Sequence, residues 1–252
     1  MVRSSAVVTS LLIVAAIGAV RSIPTGSNRI VGGQVADDTQ MPYQVALFYD
    51  GRFRCGGSVV SARHVLTAAH CVVENGQVLD ASLFTVHVGS ANLNVGGHRH
   101  QVLEAHPHEK YGIGIGHDIA MLVLEDVFAF DAYTQPIELM EDEVPVGSEV
   151  VISGYGRVGD GQPTSEVLLY NTMYVVKDTF CKALSVVFRT GLICFDKPGS
   201  NGACNGDSGG PAVYEGKLVG VANFIRESCG GDYPDGYAKV SFYVDWIRQF
   251  LE

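Results

Sequence analysis

No apolar run in the chain is long enough to span a bilayer. The longest, residues 6–20, covers about 15 residues, short of the roughly 20 a transmembrane helix needs. Basic residues are also few. Against 27 Asp and Glu there are 17 Lys and Arg, which leaves a net charge of −10. An acidic surface argues against nucleic acid and against an anionic membrane as partners. No segment has low complexity and no period of 20–50 residues repeats, which sets aside solenoids and tethered arrays. No cysteine pair has zinc-finger spacing, so a structural metal is not expected. The sequence contains no Asn-x-Ser/Thr, so N-glycosylation is not expected either.

The N-terminus opens on Arg3, continues through the apolar run and ends on the small residues Gly18, Ala19 and Ser22. That is the layout of a secretory signal peptide, placed here at residues 1–22 with the cut after Ser22. The expected location is therefore extracellular. Removing residues 1–29 also removes Arg3, Arg21 and Arg29, so the remaining chain carries −10 − 3 = −13. Six cysteines stand at positions 55, 71, 181, 194, 204 and 229. An even number in a secreted chain reads as disulfides. Fifteen pairings are possible, and spacing alone does not choose among them.

Short β-type runs dominate the rest, at residues 43–48, 58–60, 84–88, 120–124, 150–153, 168–176, 211–214 and 218–224. Many alternate apolar with polar residues, and Gly, Asp or Asn separates most of them. This pattern favours an all-β sandwich or barrel, and chains of this size often form one such unit. Two helices are expected. One is short, capped by Asp178 and running to about Leu184. The other is amphipathic and spans residues 243–251. The acidic residues 125–146 read as a connection between two halves.

Three segments carry chemistry: Leu66-Thr67-Ala68-Ala69-His70-Cys71, His117-Asp118-Ile119-Ala120-Met121-Leu122, and Gly202-Ala203-Cys204-Asn205-Gly206-Asp207-Ser208-Gly209-Gly210-Pro211. Singly, each has a bland explanation: a structural His, a turn Asp, a loop Ser. Together they supply a base, a carboxylate and a hydroxyl. A serine hydroxyl is a weak nucleophile until a base takes its proton, and histidine titrates in the right range to do so.

With Arg29-Ile30-Val31-Gly32-Gly33 and Cys55-Gly56-Gly57-Ser58, these motifs resemble the trypsin/chymotrypsin family of serine peptidases. The resemblance runs from Ile30 to the C-terminus. The segments around Tyr233-Pro234-Asp235-Gly236-Tyr237 and Tyr214-Glu215-Gly216-Lys217-Leu218 are similar to insect chymotrypsin-like and crustacean collagenase-like enzymes. The family implies an all-β fold of two six-stranded antiparallel β-barrels with a C-terminal helix, here residues 30–135 and 136–252. It implies the disulfides Cys55–Cys71, Cys181–Cys194 and Cys204–Cys229. It gives His70, Asp118 and Ser208 the catalytic roles, and it gives the backbone N–H groups of Gly206 and Ser208 the oxyanion. It also implies a zymogen with propeptide 23–29. Cleavage after Arg29 would free the Ile30 ammonium to pair with Asp207, because a buried carboxylate needs a partner.

The substrate pocket departs from the family pattern. Gly202 stands where trypsin-like members have an acid, which argues against a plain preference for Arg or Lys. Asp235 stands at a wall position that is usually Gly, and offers its carboxylate either to a basic side chain or to water. Ile225 replaces a common Gly and would narrow the entrance. Phe224 replaces a usual Trp, and Asn223 replaces a Ser that bonds the catalytic Asp. His98 and His100 are expected to be solvated. The expected activity is a secreted digestive endopeptidase of chymotrypsin-like or broad specificity. The alternatives are an elastase- or collagenase-like specialised protease and a non-catalytic homologue. No cofactor or metal is expected. The expected partners are protein or peptide substrates, an activating trypsin-like protease and protein inhibitors, with the chain a monomer.

Overall fold

Strands with one apolar and one polar side can hide the apolar side by closing the sheet into a barrel, which also leaves no free edge. This chain does so twice. The structure is a computed structural model that describes residues 32–112, 116–177, 179, 191–197, 199 and 201–251. The first barrel comprises β1 (Gln44–Tyr49), β2 (Arg52–Val59), β3 (His64–Thr67), β4 (Phe84–Val88), β5 (His98–Pro107) and β6 (Ala120–Leu124). They close in the order β1-β2-β3-β6-β5-β4, every pair antiparallel.

The second barrel comprises β7 (Glu149–Gly154), β8 (Leu169–Val175), β9 (Leu192–Asp196), β10 (Pro211–Tyr214), β11 (Lys217–Phe224) and β12 (Asp235–Lys239). Its order, β7-β8-β9-β12-β11-β10 and back to β7, repeats that of the first. The two six-stranded antiparallel barrels implied by the resemblance are therefore present. Most of the expected strands fall within a residue or two of the observed ones. The charged β5 and the short β3, β9 and β12 carry no comparable signal in the sequence.

Each barrel encloses its own core. Val45, Leu47, Leu66, Phe84, Met121 and Leu122 fill the first, and Val150, Ile152, Met173, Phe195 and Tyr237 fill the second. Burying one such side chain is worth about 1.5–3 kcal/mol. A third cluster, including Met41, Phe48, Leu93, Tyr155 and Leu168, draws residues from both halves. The C-terminal helix α1 (Val240–Arg248) starts three residues earlier than the pattern predicts. Val240, Tyr243 and Ile247 lie three and four residues apart, so they share one face. That face is buried in a core cluster that joins first-barrel residues to Val213, Leu218 and Val221 of β10 and β11. Lys239 and Arg248 pair with Glu143 and Glu141 of the connecting segment. The short helix expected from Asp178 lies outside the described residues. Among the described residues, no helix is long and apolar enough to cross a membrane.

Candidate active site

β3 and β6 are antiparallel neighbours, with Thr67 opposite Ala120. The residues just after β3 and just before β6 therefore emerge at the same rim. This register brings His70 to Asp118 across 48 positions of sequence. His70 sits in the 3-10 turn Ala69–Cys71, and the Cys55–Cys71 disulfide ties that turn back to β2. The Asp118 side chain is only 8 % exposed, and both of its carboxylate oxygens face His70. Oδ1 accepts the backbone N–H of His70 at 2.8 Å and Oδ2 lies 2.7 Å from Nδ1. An acceptor at Nδ1 places the neutral ring's proton there and leaves Nε2 as the free base.

The backbone around Asp118 is held from two sides. His117 has φ of 57°, a conformation rare outside glycine, and stacks on His108 with ring centroids 4.6 Å apart. Tyr243 of α1 packs edge-on against both rings. From the other side, the Asn223 amide nitrogen donates to the Asp118 carbonyl at 3.0 Å and to that of Val221 at 2.9 Å. The serine expected from the family is thus replaced by a donor that grips the main chain of Asp118 and bridges the two barrels.

Ser208 lies on the loop leading into β10. Gly206 and Gly209 have φ of 102° and 78°, so the loop turns on both sides of the serine where L side chains are strained. A Cβ on Gly206 would lie 3.1 Å from the Cα of Gly156 and 3.3 Å from the Phe53 ring. The loop is fastened to the first barrel, because Gly56 of β2 donates its N–H to the Ser208 carbonyl at 2.8 Å. Nearby, the Ser153 hydroxyl donates to the buried Gln44 side chain at 2.6 Å, a further bond between barrels. His70 and Ser208 line one cavity of about 300 Å³, with Ala222, Phe224, Ile225 and Tyr237 among its other walls.

The sequence matches the model of the Trypsin family over residues 30–247. The chain belongs to the trypsin family of serine proteases. It is 50 % identical over 220 residues to serine protease SP24D of Anopheles gambiae, covering 87 % of this chain and 80 % of that one. It is 33 % identical to brachyurin of Leptuca pugilator, covering 87 % and 97 %. Mouse neuropsin, a serine protease, superposes with a TM-score of 0.79 at 27 % identity, covering 87 % of this chain and 99 % of that structure.

In this trypsin-family chain the expected pocket residues divide into two layers. Asn223, Phe224 and Ile225 line the cavity. Gly202 and Asp235 lie beneath it, and Asp235 is buried. Asp235 Oδ2 accepts the Ala203 N–H at 2.8 Å, and Oδ1 pairs with the Lys197 ammonium at 3.1 Å. Burial pushes its carboxyl upward, and Lys197 opposes that push. Lys197 carries no motif in the sequence. It becomes visible only because β9 pairs with β12, placing Phe195 opposite Asp235.

Asp207 is also buried. Its partners among the described residues are the N–H groups of Gly156 at 2.8 Å and Cys204 at 2.9 Å. Burial pushes its carboxyl up to about 7, more than these two donors pull it down. Arg29 and Ile30 lie outside the described residues. So does Cys181; Cys194 is disulfide-bonded, and Cys204–Cys229 is formed as the family implies. His100 corrects an expectation: it is not free in solvent but largely covered, with Nδ1 3.0 Å from Asp126 Oδ1. Two groups of metal-type donors occur among the described residues, Cys55 with His70 and Cys71, and Asp160 with Cys204 and Cys229. Their sulfurs are joined in disulfides, so neither group offers a thiolate.

Proposed function

We propose that the chain is a secreted serine endopeptidase that cleaves peptide bonds through an acyl-enzyme on Ser208. The observation that carries this reading is the buried Asp118 carboxylate holding His70 by both its oxygens, with His70 and Ser208 on one cavity. The roles are those of the family's own Ser-His-Asp template. His70 Nε2 takes the Ser208 proton as Oγ attacks the scissile carbonyl. It then gives that proton to the leaving amine, and a water repeats the sequence to release the acid and regenerate the serine. The N–H groups of Gly206 and Ser208 receive the oxyanion, a contribution typically worth about 3–4 kcal/mol per donor.

Activation follows from Asp207. A carboxylate buried on two backbone donors is costly to ionise, and the ammonium of Ile30, freed by cleavage after Arg29, is the cation that would relieve it. A neighbouring observation supports the placement. Gly32, with φ of 79°, packs against the Asn201 side chain, so the segment after Ile30 lies beside the loop that carries Asp207. The apolar N-terminal run and the disulfides support secretion. The cavity walls Ala222, Phe224, Ile225 and Tyr237 favour apolar side chains. Ile225 favours medium over large ones, which keeps an elastase-like preference as the second reading.

The test is titration with a fluorophosphonate probe after cleavage at Arg29, with Ser208→Ala and His70→Ala as controls. Stoichiometric labelling of the wild type alone is expected. A cleaved, folded wild type that is not labelled overturns the reading in favour of a non-catalytic homologue.

A further inference from the structure

A lysine buried under a substrate pocket needs a reason. Lysine normally lays its aliphatic stem on the protein and keeps its ammonium in water. The Lys197 side chain is instead 2 % exposed, and its Asp235 partner is 1 % exposed. Both Asp235 oxygens are engaged, one by the ammonium at 3.1 Å and one by the Ala203 N–H at 2.8 Å. The pair also fills the space that a side chain at position 202 would need. A Cβ on Gly202 would lie 2.6 Å from Asp235 Oδ2, 2.6 Å from the Lys197 ammonium and 2.9 Å from Lys197 Cδ. Above the pair, Ala203, Gly236 and Tyr237 line the cavity, and neither charged residue reaches its wall. A carboxylate thus lies just beneath the pocket, with a resident cation already on it.

We propose that Lys197 is a specificity-determining residue: its ammonium holds Asp235 in place of a substrate's basic side chain. This makes the protease reject Arg and Lys before the scissile bond and accept apolar residues there. The inference rests on the endopeptidase reading above. A basic side chain entering the cavity meets a carboxylate whose charge is already neutralised. It must either displace Lys197, exchanging one ion pair for another, or sit beside a second cation. Like charges forced together cost several kcal/mol. An apolar side chain meets no such conflict. It follows that the enzyme does not cut its own Arg29 and depends on another protease of basic specificity for activation.

The experiment compares wild type with Lys197→Ala, which vacates room for a guest cation, and Lys197→Gln, which keeps a hydrogen bond to Asp235 but removes the charge. The uncleaved proteins are opened with immobilised trypsin, which is then removed. Ser208→Ala treated in the same way reports any carry-over. Fluorophosphonate labelling first counts active sites, so a failure of the endopeptidase reading shows up there and not in the specificity data. Peptides with Arg, Lys, Leu, Phe or Ala before the scissile bond are then assayed, with benzamidine as a small cationic probe of the pocket base. Wild type is expected to cleave after apolar residues and to ignore benzamidine. In Lys197→Ala, kcat/KM for Arg relative to Leu is expected to rise on the order of 10²-fold, the scale of an unmasked buried charge, and benzamidine becomes an inhibitor. Lys197→Gln is expected to move the same way by less. A wild type that labels and prefers Arg or Lys overturns the proposal. So does a labelled variant with no gain for Arg, Lys or benzamidine. If neither variant folds, the wild-type preference and its response to benzamidine decide the matter.

Discussion

The Asp207→Asn substitution separates the uncleaved protein from the cleaved one. In the uncleaved chain, burial pushes the Asp207 carboxyl from its ordinary 3.8 to about 7. The unfolded chain ionises near 3.8 while the folded chain holds its proton to about 7. Between those values the folded state binds more protons, so this group's contribution to stability is full below about 4 and is lost as pH rises through about 7. A gap of about three pH units at about 1.36 kcal/mol each makes the loss roughly 4 kcal/mol. The assay is urea unfolding at pH 4.5, 6 and 8, in a Ser208→Ala background that prevents self-digestion. Subtracting the Asp207→Asn curves cancels all other titrating groups. Uncleaved wild type should lose stability relative to Asp207→Asn as pH rises. After cleavage at Arg29 the sign should reverse at pH 8, because the variant then lacks the partner of the new ammonium, a loss of about 3–5 kcal/mol. Parallel pH curves for the uncleaved wild type and variant would refute the reasoning. So would a cleaved pair that ranks as the uncleaved pair does.

Asp118→Asn removes an acceptor from His70 Nδ1 and should lower kcat about 10²–10⁴-fold with KM little changed, as peptide hydrolysis would show. Asn223→Ala deletes two hydrogen bonds, to the carbonyls of Asp118 and Val221; thermal unfolding should report a loss of about 1–3 kcal/mol, and kcat should fall because Asp118 is less firmly placed. Replacing Cys204 and Cys229 together by Ser opens a bridge spanning 25 positions and should cost about 2–4 kcal/mol in urea unfolding.

Much of the local structure was legible in the residues themselves. Alternation marked strand β4 at its observed limits, and short apolar runs bounded by turn residues marked β6 and β10. The segments bearing His70, Asp118 and Ser208 were legible as chemistry because their residue types have few other uses in that company. Strand β5 escaped notice because its His, Arg, Gln and Glu residues obscure the alternation. Strand β12 escaped because Asp235, Gly236 and Lys239 leave it few apolar positions.

The sequence by itself determined the barrel-forming pattern, the even set of cysteines and the identity of the three candidate catalytic residues. Only the tertiary structure decided the fate of the charges. Lys197 and Asp235 are 38 positions apart, and nothing local relates them. They meet because β9 and β12 are neighbours in a closed barrel, and they stay paired because the interior around them excludes water. In the same way, His70 reaches Asp118 through the register of β3 on β6, and the Ser208 loop is fixed by a bond from Gly56 of the other barrel. Periodicity reports which face of a strand is buried. It cannot report which distant group is buried against it, and that contact sets the electrostatics of this pocket.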